Sequence, residues 1–217
     1  MKDYDYLDFG TSPDPSHRPI YLEGVCDFLS TVPAAASILD AGCGGGDFAI
    51  GLHQAGYKVF GCDLNESAIK AAKARNVGQF ELASLYEPLA AHFGRDAFDA
   101  IVSIEVIEHL YSPRVFAERC HEALIPGGIL IISTPYWGYL KNIVLALTNR
   151  IDRALTTLWE GGHIKHFSRK TLTALMQDAG FEVIGFKGCG QGWRSKVPYL
   201  WSGMLVAFRK PKDTNNP

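Results

Sequence analysis

Between residues 38 and 47 the chain reads Ile-Leu-Asp-Ala-Gly-Cys-Gly-Gly-Gly-Asp, an apolar run that breaks into glycine at every second position, Gly42, Gly44 and Gly46. Glycines in such a turn let the backbone approach a ligand closely, and a helix starting just beyond them offers unpaired N–H groups. Two carboxylates flank the turn, Asp40 and Asp47. They would repel a pyrophosphate and suit a zwitterionic amino acid with a sulfonium nearby. A dinucleotide fingerprint, GxGxxG, also needs its third glycine where Asp47 stands. Asp63 closes a second apolar run about 20 residues further on, where an acidic side chain can accept both hydroxyls of a ribose.

A second constellation follows Ser103: Glu105, Glu108 and His109. On a helical turn these three would share one face. Two carboxylates and an imidazole could then bind a divalent ion such as Mg²⁺ or Mn²⁺. A metal chelating two neighbouring hydroxyls would lower the acceptor's pKa and generate the attacking oxyanion. His163 or His166 could complete the ligand set. The same residues could instead cap a helix or hold a loop, and His109 or His163 could serve without metal as the general base.

The elements that must position these groups alternate. Ser37–Asp40, Tyr57–Cys62, Val77–Leu82, Phe98–Ser103 and Ile129–Ser133 read as strands. Phe48–Ala55, Glu66–Arg75 (capped by Asn65) and Phe116–Leu124 read as helices, after a first helix running from Ile20 to the Pro33 turn. Strands separated by helices mean βαβ units and a mainly parallel sheet. After Ser133 the order changes. A long helical pattern covers Tyr139–Trp159, a helix opened by Ser168 covers Arg169–Ala179, and two late strands, Gly180–Phe186 and Met204–Phe208, have no helix between them. The expectation is an α/β, Rossmann-like, seven-stranded and mostly parallel sheet with one antiparallel edge strand and helices on both faces. A single domain over 1–217 accounts for the whole, with an irregular lead-in at 1–17 and a lid or insertion at 136–167.

Glycine loop, ribose acid and post-fourth-strand motif, here DAGCGGG, Asp63 in GCDLN and SIEVIEHL, together resemble the class I S-adenosylmethionine (SAM)-dependent methyltransferases, from about Ile20 to the C-terminus. The resemblance implies Gly42 and Gly44 against the methionine part and Asp63 on the ribose, with Leu64 against adenine. It also implies Ser84 and Leu85 flanking the adenine, and Ile104 facing the cofactor from the fourth strand. Within that class, SIEVIEHL, LIPGGILIISTP, GHIKHFS and DAGFEV are similar to the family that contains the ubiquinone-biosynthesis O-methyltransferases (methyltransferase types 11 and 12). There an arginine ahead of the glycine loop reaches the cofactor, and Arg18 is the candidate here. The small-RNA 3′-terminal 2′-O-methyltransferases are similar in using E-x-x-E-H with a later histidine on a metal.

The segment after the fifth strand carries an apolar stripe, Leu140, Ile143, Val144, Leu147, Ile151, Leu155 and Leu158, opposite a polar face with Asn142, Asn149, Asp152 and Arg153. It fits three uses: a helix packed on its own domain, a lid over an apolar acceptor, or a helix on a membrane surface. The loop Gly188–Trp201, with Trp193, Arg194 and Lys196, suits either an anionic acceptor or a solvated rim.

Composition narrows the field. The 217 residues are 47% hydrophobic and 20% charged with a formal charge of −2. That balance, without a basic patch, argues against nucleic acid as partner. Five scattered cysteines without a CxxC pair argue against a disulfide framework or a zinc site and suit a reducing cytoplasm. The start lacks the basic and apolar regions of a signal peptide, and no run of about 20 apolar residues suggests a span. The expected activity is methyl transfer from SAM to an oxygen of a small-molecule or lipid-linked acceptor, releasing S-adenosylhomocysteine (SAH). Peripheral membrane contact would run through 139–159. The alternatives are a metal-assisted RNA 2′-O-methyltransferase using Mg²⁺, a SAM-binding protein without catalysis, and an oxidoreductase. The last is disfavoured by the missing glycine and the lack of a Tyr-x-x-x-Lys pair.

Overall fold

The computed structural model describes residues 18–155, 162–190 and 197–212. Helix α1 (Arg18–Leu29) leads into β1 (Ser37–Ala41), α2 (Asp47–Gln54), β2 (Lys58–Asp63), α3 (Glu66–Ala74) and β3 (Gly78–Leu82). The chain then crosses to β4 (Phe98–Ile104), α4 (Pro113–Glu122) and β5 (Leu124–Pro135), and continues through α5 (Tyr139–Leu147), α6 (Ile151–Leu155), α7 (Arg169–Asp178), β6 (Glu182–Cys189) and β7 (Gly203–Arg209). The strands form one sheet in the order β3-β2-β1-β4-β5-β7-β6. All pairs from β3 to β5 are parallel, and β7 runs antiparallel to both β5 and β6. The late pair thus supplies the expected antiparallel edge, with β7 one place in and β6 outermost.

Both faces of the sheet are covered, so its central strands read as continuous apolar runs whose neighbours point to opposite sides. Ile38, Val102, Ile131 and Leu205 pack with Val25 and Leu29 of α1, Phe48 and Leu52 of α2 and Ile69 of α3. Their sequence neighbours Leu39, Ile101, Leu130 and Val206 pack with Phe116 and Cys120 of α4 and Leu172 and Met176 of α7. Helix starts are fixed locally. Asn65 Oδ1 accepts the Ala68 N–H, and Ser168 and Thr171 exchange bonds as a capping box.

The expectation of one long helix over 139–159 needs correction. Helix α5 stops at Leu147, where the Thr148 hydroxyl donates to the Val144 carbonyl and Asn149 takes a left-handed φ of 52°. An asparagine tolerates that conformation and ends the helix. The chain restarts as α6, and residues 156–161, with Leu158 and Trp159, lie outside the described residues. So do the lead-in 1–17 and the Trp193, Arg194 and Lys196 segment.

Strand order reverses between β1 and β4: the chain moves outward through β2 and β3, then returns to the other side of β1. Open α/β sheets bind ligands beyond the carboxyl ends of the strands at such a switch point. The glycine turn follows β1 and the Glu105–His109 segment follows β4, so both constellations meet at this crevice.

Candidate active site

The glycine turn is held by its own backbone. Gly42 and Cys43 N–H both donate to the Cys62 carbonyl, and Gly46 N–H to the Cys43 carbonyl. Gly42 has φ +83°, and a Cβ there would lie 2.6 Å from Val106 Cγ2, so both conformation and space demand glycine. Gly44 has φ +50° but faces open space. Its N–H donates to Asp63 Oδ2 at 2.9 Å, while Asn65 N–H donates to Asp63 Oδ1 at 2.9 Å. Two backbone donors therefore fix the Asp63 carboxylate at the mouth of the loop. Its remaining lone pairs are available to hydroxyl donors.

The two acids flanking the turn separate in role. Asp47 pairs with Arg75, just past the end of α3, at 2.7 Å. Asp40 is 1% exposed and its Oδ2 has no hydrogen-bond partner among the described residues. Burial, with the Asp63 charge nearby, pushes its carboxyl up to about 7. An orphaned buried carboxylate beside an open glycine cradle fits a ligand that brings a cation.

Leu64 and Leu82 are each about half exposed beside Asp63, an apolar rim suited to a flat base. Ser84 Oγ accepts the Tyr86 N–H. The Leu85 side chain packs into the core on the α4 side, so only its backbone is left to face a ligand. Ile104 is half-buried against the α1 side of the core. Arg18 opens α1, and its side chain lies outside the described residues.

The post-β4 segment departs from the expected helical turn. Glu105 takes a left-handed φ of 56°, and only Ile107–His109 form a 3₁₀ turn. Glu105 and Glu108 consequently do not share one face. Glu105 turns back to β5: its N–H donates to Ser133 Oγ at 2.8 Å, and Ser133 Oγ lies 2.8 Å from Glu105 Oε1 as donor. The buried Tyr21 of α1 also hydrogen-bonds Glu105, and burial, then that carboxylate, drives the phenol far above its ordinary value. The metal trio expected from the sequence is therefore split.

A different trio forms. Glu108, His109 and His163 bring one candidate ligand atom each within 4.8 Å of one another. The Glu108 carbonyl accepts the N–H groups of both Ile164 and Lys165, and His109 Nδ1 lies 3.3 Å from the Gly162 carbonyl. These bonds latch 162–165 onto the turn and place the His163 ring 5.1 Å from that of His109. Glu108 is fully buried, and neither carboxylate oxygen has a hydrogen-bond partner among the described residues. Burial, then the Glu105 charge, raises its carboxyl well above the ordinary range. His163 Nε2 is 4.0 Å from Glu108 Oε1. Burial and then His109, His166 and Lys141 lower His163 to about 4. His166 stands aside, its ring 4.5 Å from Trp137.

Tyr21 and Ser133 are the residues that sequence reasoning missed. Tyr21, Val25 and Leu29 recur at i, i+4 and i+8 on the buried face of α1, a signal sufficient to bury the phenol but not to aim it.

A Rossmann-like sheet with a glycine cradle and a carboxylate at the β2 end defines a nucleoside-cofactor α/β class, and the late antiparallel pair is that of methyltransferases. A methyltransferase-domain family model matches residues 16–185. A ubiquinone biosynthesis O-methyltransferase of Thiobacillus denitrificans is 32% identical over 172 residues, 76% of this chain and 72% of that protein. A "Probable S-adenosylmethionine-dependent methyltransferase" of Mycolicibacterium smegmatis is 31% identical over 154 residues, and the chain spans only 53% of its length. The magnesium protoporphyrin IX methyltransferase of Synechocystis, solved with bound SAH, superposes with a TM-score of 0.65 at 17% identity, covering 94% of this chain and 90% of that one. The chain belongs to the SAM-dependent methyltransferase-domain family.

Proposed function

We propose that the protein transfers a methyl group from SAM to an oxygen of a small-molecule or lipid-linked acceptor. When bound, SAM supplies the methyl as a sulfonium-activated electrophile. Asp63 holds the ribose, Leu64 packs on the adenine with the backbone of Ser84–Leu85 behind it, and Gly42, Gly44 and Ile104 face the methionine end. The observation that carries the oxygen chemistry is the His109–His163 pair at the carboxyl end of β4, beside the glycine turn. His163 is neutral near pH 7 and offers a base where an acceptor O–H would lose its proton as the new C–O bond forms. The rate gain comes mainly from holding two reactants in line within one site. Ubiquinone-pathway names among the relatives support an O–H acceptor without identifying it.

The test is radiolabelled methyl transfer from SAM to a panel of hydroxylated aryl and prenylated acceptors, with His109→Ala and His163→Ala. Transfer that survives both substitutions sinks the general-base reading. A metal-assisted version has one observation in its favour, the Glu108, His109 and His163 donor set. Two imidazoles and one carboxylate suit Mn²⁺ or a later transition ion better than Mg²⁺. Turnover unchanged by exhaustive chelation removes it.

The lipid-linked acceptor draws support from α5. Tyr139 and Leu147 are each more than 80% exposed, and Leu140, Val144 and Ile151 are partly exposed on the same segment. An apolar face of this size next to the site suits contact with a lipid or a membrane surface. No described helix is long and apolar enough to cross a membrane.

A further inference from the structure

Arg75 caps the end of α3, yet its guanidinium reaches the glycine turn that follows β1. Its Nε donates to the Gly45 carbonyl, and its Nη2 lies 2.7 Å from Asp47 Oδ1. The carbonyl of Gly45 and the N–H of Gly46 belong to one peptide group, and the Gly46 N–H donates to the Cys43 carbonyl at 2.9 Å. Both polar ends of that peptide are therefore engaged, one by the turn itself and one by Arg75. The peptide lies in a run of three glycines, Gly44 to Gly46, where no Cβ resists its rotation. Rotating it would break both bonds and redirect α2, whose N-cap, Gly46, is left-handed and makes no side-chain capping bond. The last turn of α3 packs close at this point. A Cβ on Gly46 would lie 3.1 Å from Ala72 Cβ and 3.4 Å from Arg75 Cδ.

The ion pair alone does not account for this arrangement. The Arg75 and Asp47 side chains are 31% and 38% exposed, and pairs so open to water contribute little to stability. A guanidinium presents its nitrogens in a fixed fork, so one side chain serves a carbonyl and a carboxylate together. The turn is then held on both flanks: Asp63 takes the Gly44 N–H, and Arg75 takes the Gly45 carbonyl. Resting on the SAM-site reading above, we propose that Arg75 is a positioning residue for the cofactor, locking the Gly45–Gly46 peptide in the binding conformation of the turn. Without that lock the turn samples several conformations, and only the competent fraction binds. Apparent affinity falls by that fraction. SAM and SAH need the same turn, so both lose by the same factor.

The experiment is calorimetric titration of the full chain with SAM and, separately, with SAH, joined to amide hydrogen exchange over residues 42–50 without ligand. The variants are Arg75→Ala, Arg75→Met, Arg75→Lys and Asp47→Asn. Methionine keeps an apolar stem against Gly46 and removes the donors, which covers the case that alanine impairs folding. Both are expected to bind SAM and SAH about tenfold more weakly, the size of one charge-assisted hydrogen bond. Exchange over 42–50 is expected to quicken in both, with saturating SAH restoring protection. Arg75→Lys, which returns one donor, is expected to recover part of the loss. Asp47→Asn keeps the Gly45 bond and is expected to bind both ligands within about twofold of wild type. A folded alanine or methionine variant that binds like wild type, or exchanges no faster, overturns the proposal. So does a loss confined to one ligand, or one reproduced in full by Asp47→Asn, since charge and not the peptide would then be the cause. Failure of the wild type to bind either ligand would instead remove the SAM-site reading on which the proposal rests.

Discussion

The Gly44 N–H donates to the Asp63 carboxylate across 2.9 Å, so the glycine turn after β1 and the acid ending β2 form one hydrogen-bonded unit. Asn65 N–H holds the other oxygen. Asp63→Ala therefore removes the proposed ribose acceptor and also orphans two backbone donors. Hydrogen bonds to a charged group contribute about 1.5–3 kcal/mol each. SAH affinity is expected to fall about a hundredfold, measured by calorimetry, with NADH giving no binding heat to either protein. Tight NADH binding would contradict the assignment of the cradle.

Gly42 and Gly44 separate fold from binding. At Gly42 an alanine meets both a positive φ and Val106 at 2.6 Å, and about 1–3 kcal/mol of stability should be lost. At Gly44 the added methyl enters open space, so only the backbone preference counts there. Thermal melts should show the larger drop for Gly42→Ala. Gly44→Ala should lose less, about 1 kcal/mol from its positive φ alone, yet bind SAH poorly, because its methyl projects into the cradle.

Asp40 ionises with difficulty. Its carboxyl sits at about 7 against an ordinary 3.8, mainly through burial. Above pH 4 the unfolded chain releases this proton, while the folded chain keeps it until about 7. The contribution of Asp40 to stability is thus fully present below about 4 and lost as pH rises through 7. Asp40→Asn should match wild-type melting at low pH and exceed it at pH 8. A cationic ligand favours the ionised form, so SAM binding at pH 6 should release protons from wild type and not from Asp40→Asn. Calorimetry in two buffers of different ionisation enthalpy reads this directly.

The sheet was legible in the sequence because its signals are local. Alternating apolar runs, the Asn65 and Ser168 caps, and glycines at i, i+2 and i+4 each act within a few residues. The Glu105–His109 segment was not. Its shape depends on Ser133, Tyr21 and the 162–165 backbone, none adjacent in the chain. Helical spacing consequently grouped Glu105 with Glu108, whereas tertiary partners pull Glu105 to β5 and bring His163 to Glu108. The break after Leu147 was hidden for a related reason: the apolar stripe continues across Asn149, whose left-handed turn no hydrophobic pattern reports.

His163 couples acid stability to the proposed proton transfer. Its imidazole stays neutral down to about 4, chiefly through burial. Below pH 6.5 the unfolded chain takes up a proton that the folded chain refuses until about 4. This group therefore destabilises the fold progressively as pH falls across that window. His163→Gln should flatten the pH dependence of the urea midpoint between 6.5 and 4. If His163 is also the base, the acid limb of kcat/KM should be displaced towards 4 in wild type, and an acid limb near 6.5 would point to a different group.

Leu147 and Tyr139 are 83% and 82% exposed, and α5 buries no residue against the rest of the protein. Substituting Leu147→Glu removes apolar surface that folding does not use, so the melting temperature should stay within about 2 °C. Binding to anionic phospholipid vesicles should drop about tenfold or more if this face meets a membrane, since each fully inserted leucine contributes about 1.5–3 kcal/mol. Turnover on a water-soluble acceptor should be unaffected, whereas turnover on a prenylated acceptor presented in vesicles should fall with the binding. If both acceptors lose turnover together without any change in vesicle binding, α5 covers the acceptor as a lid and does not act as a membrane contact.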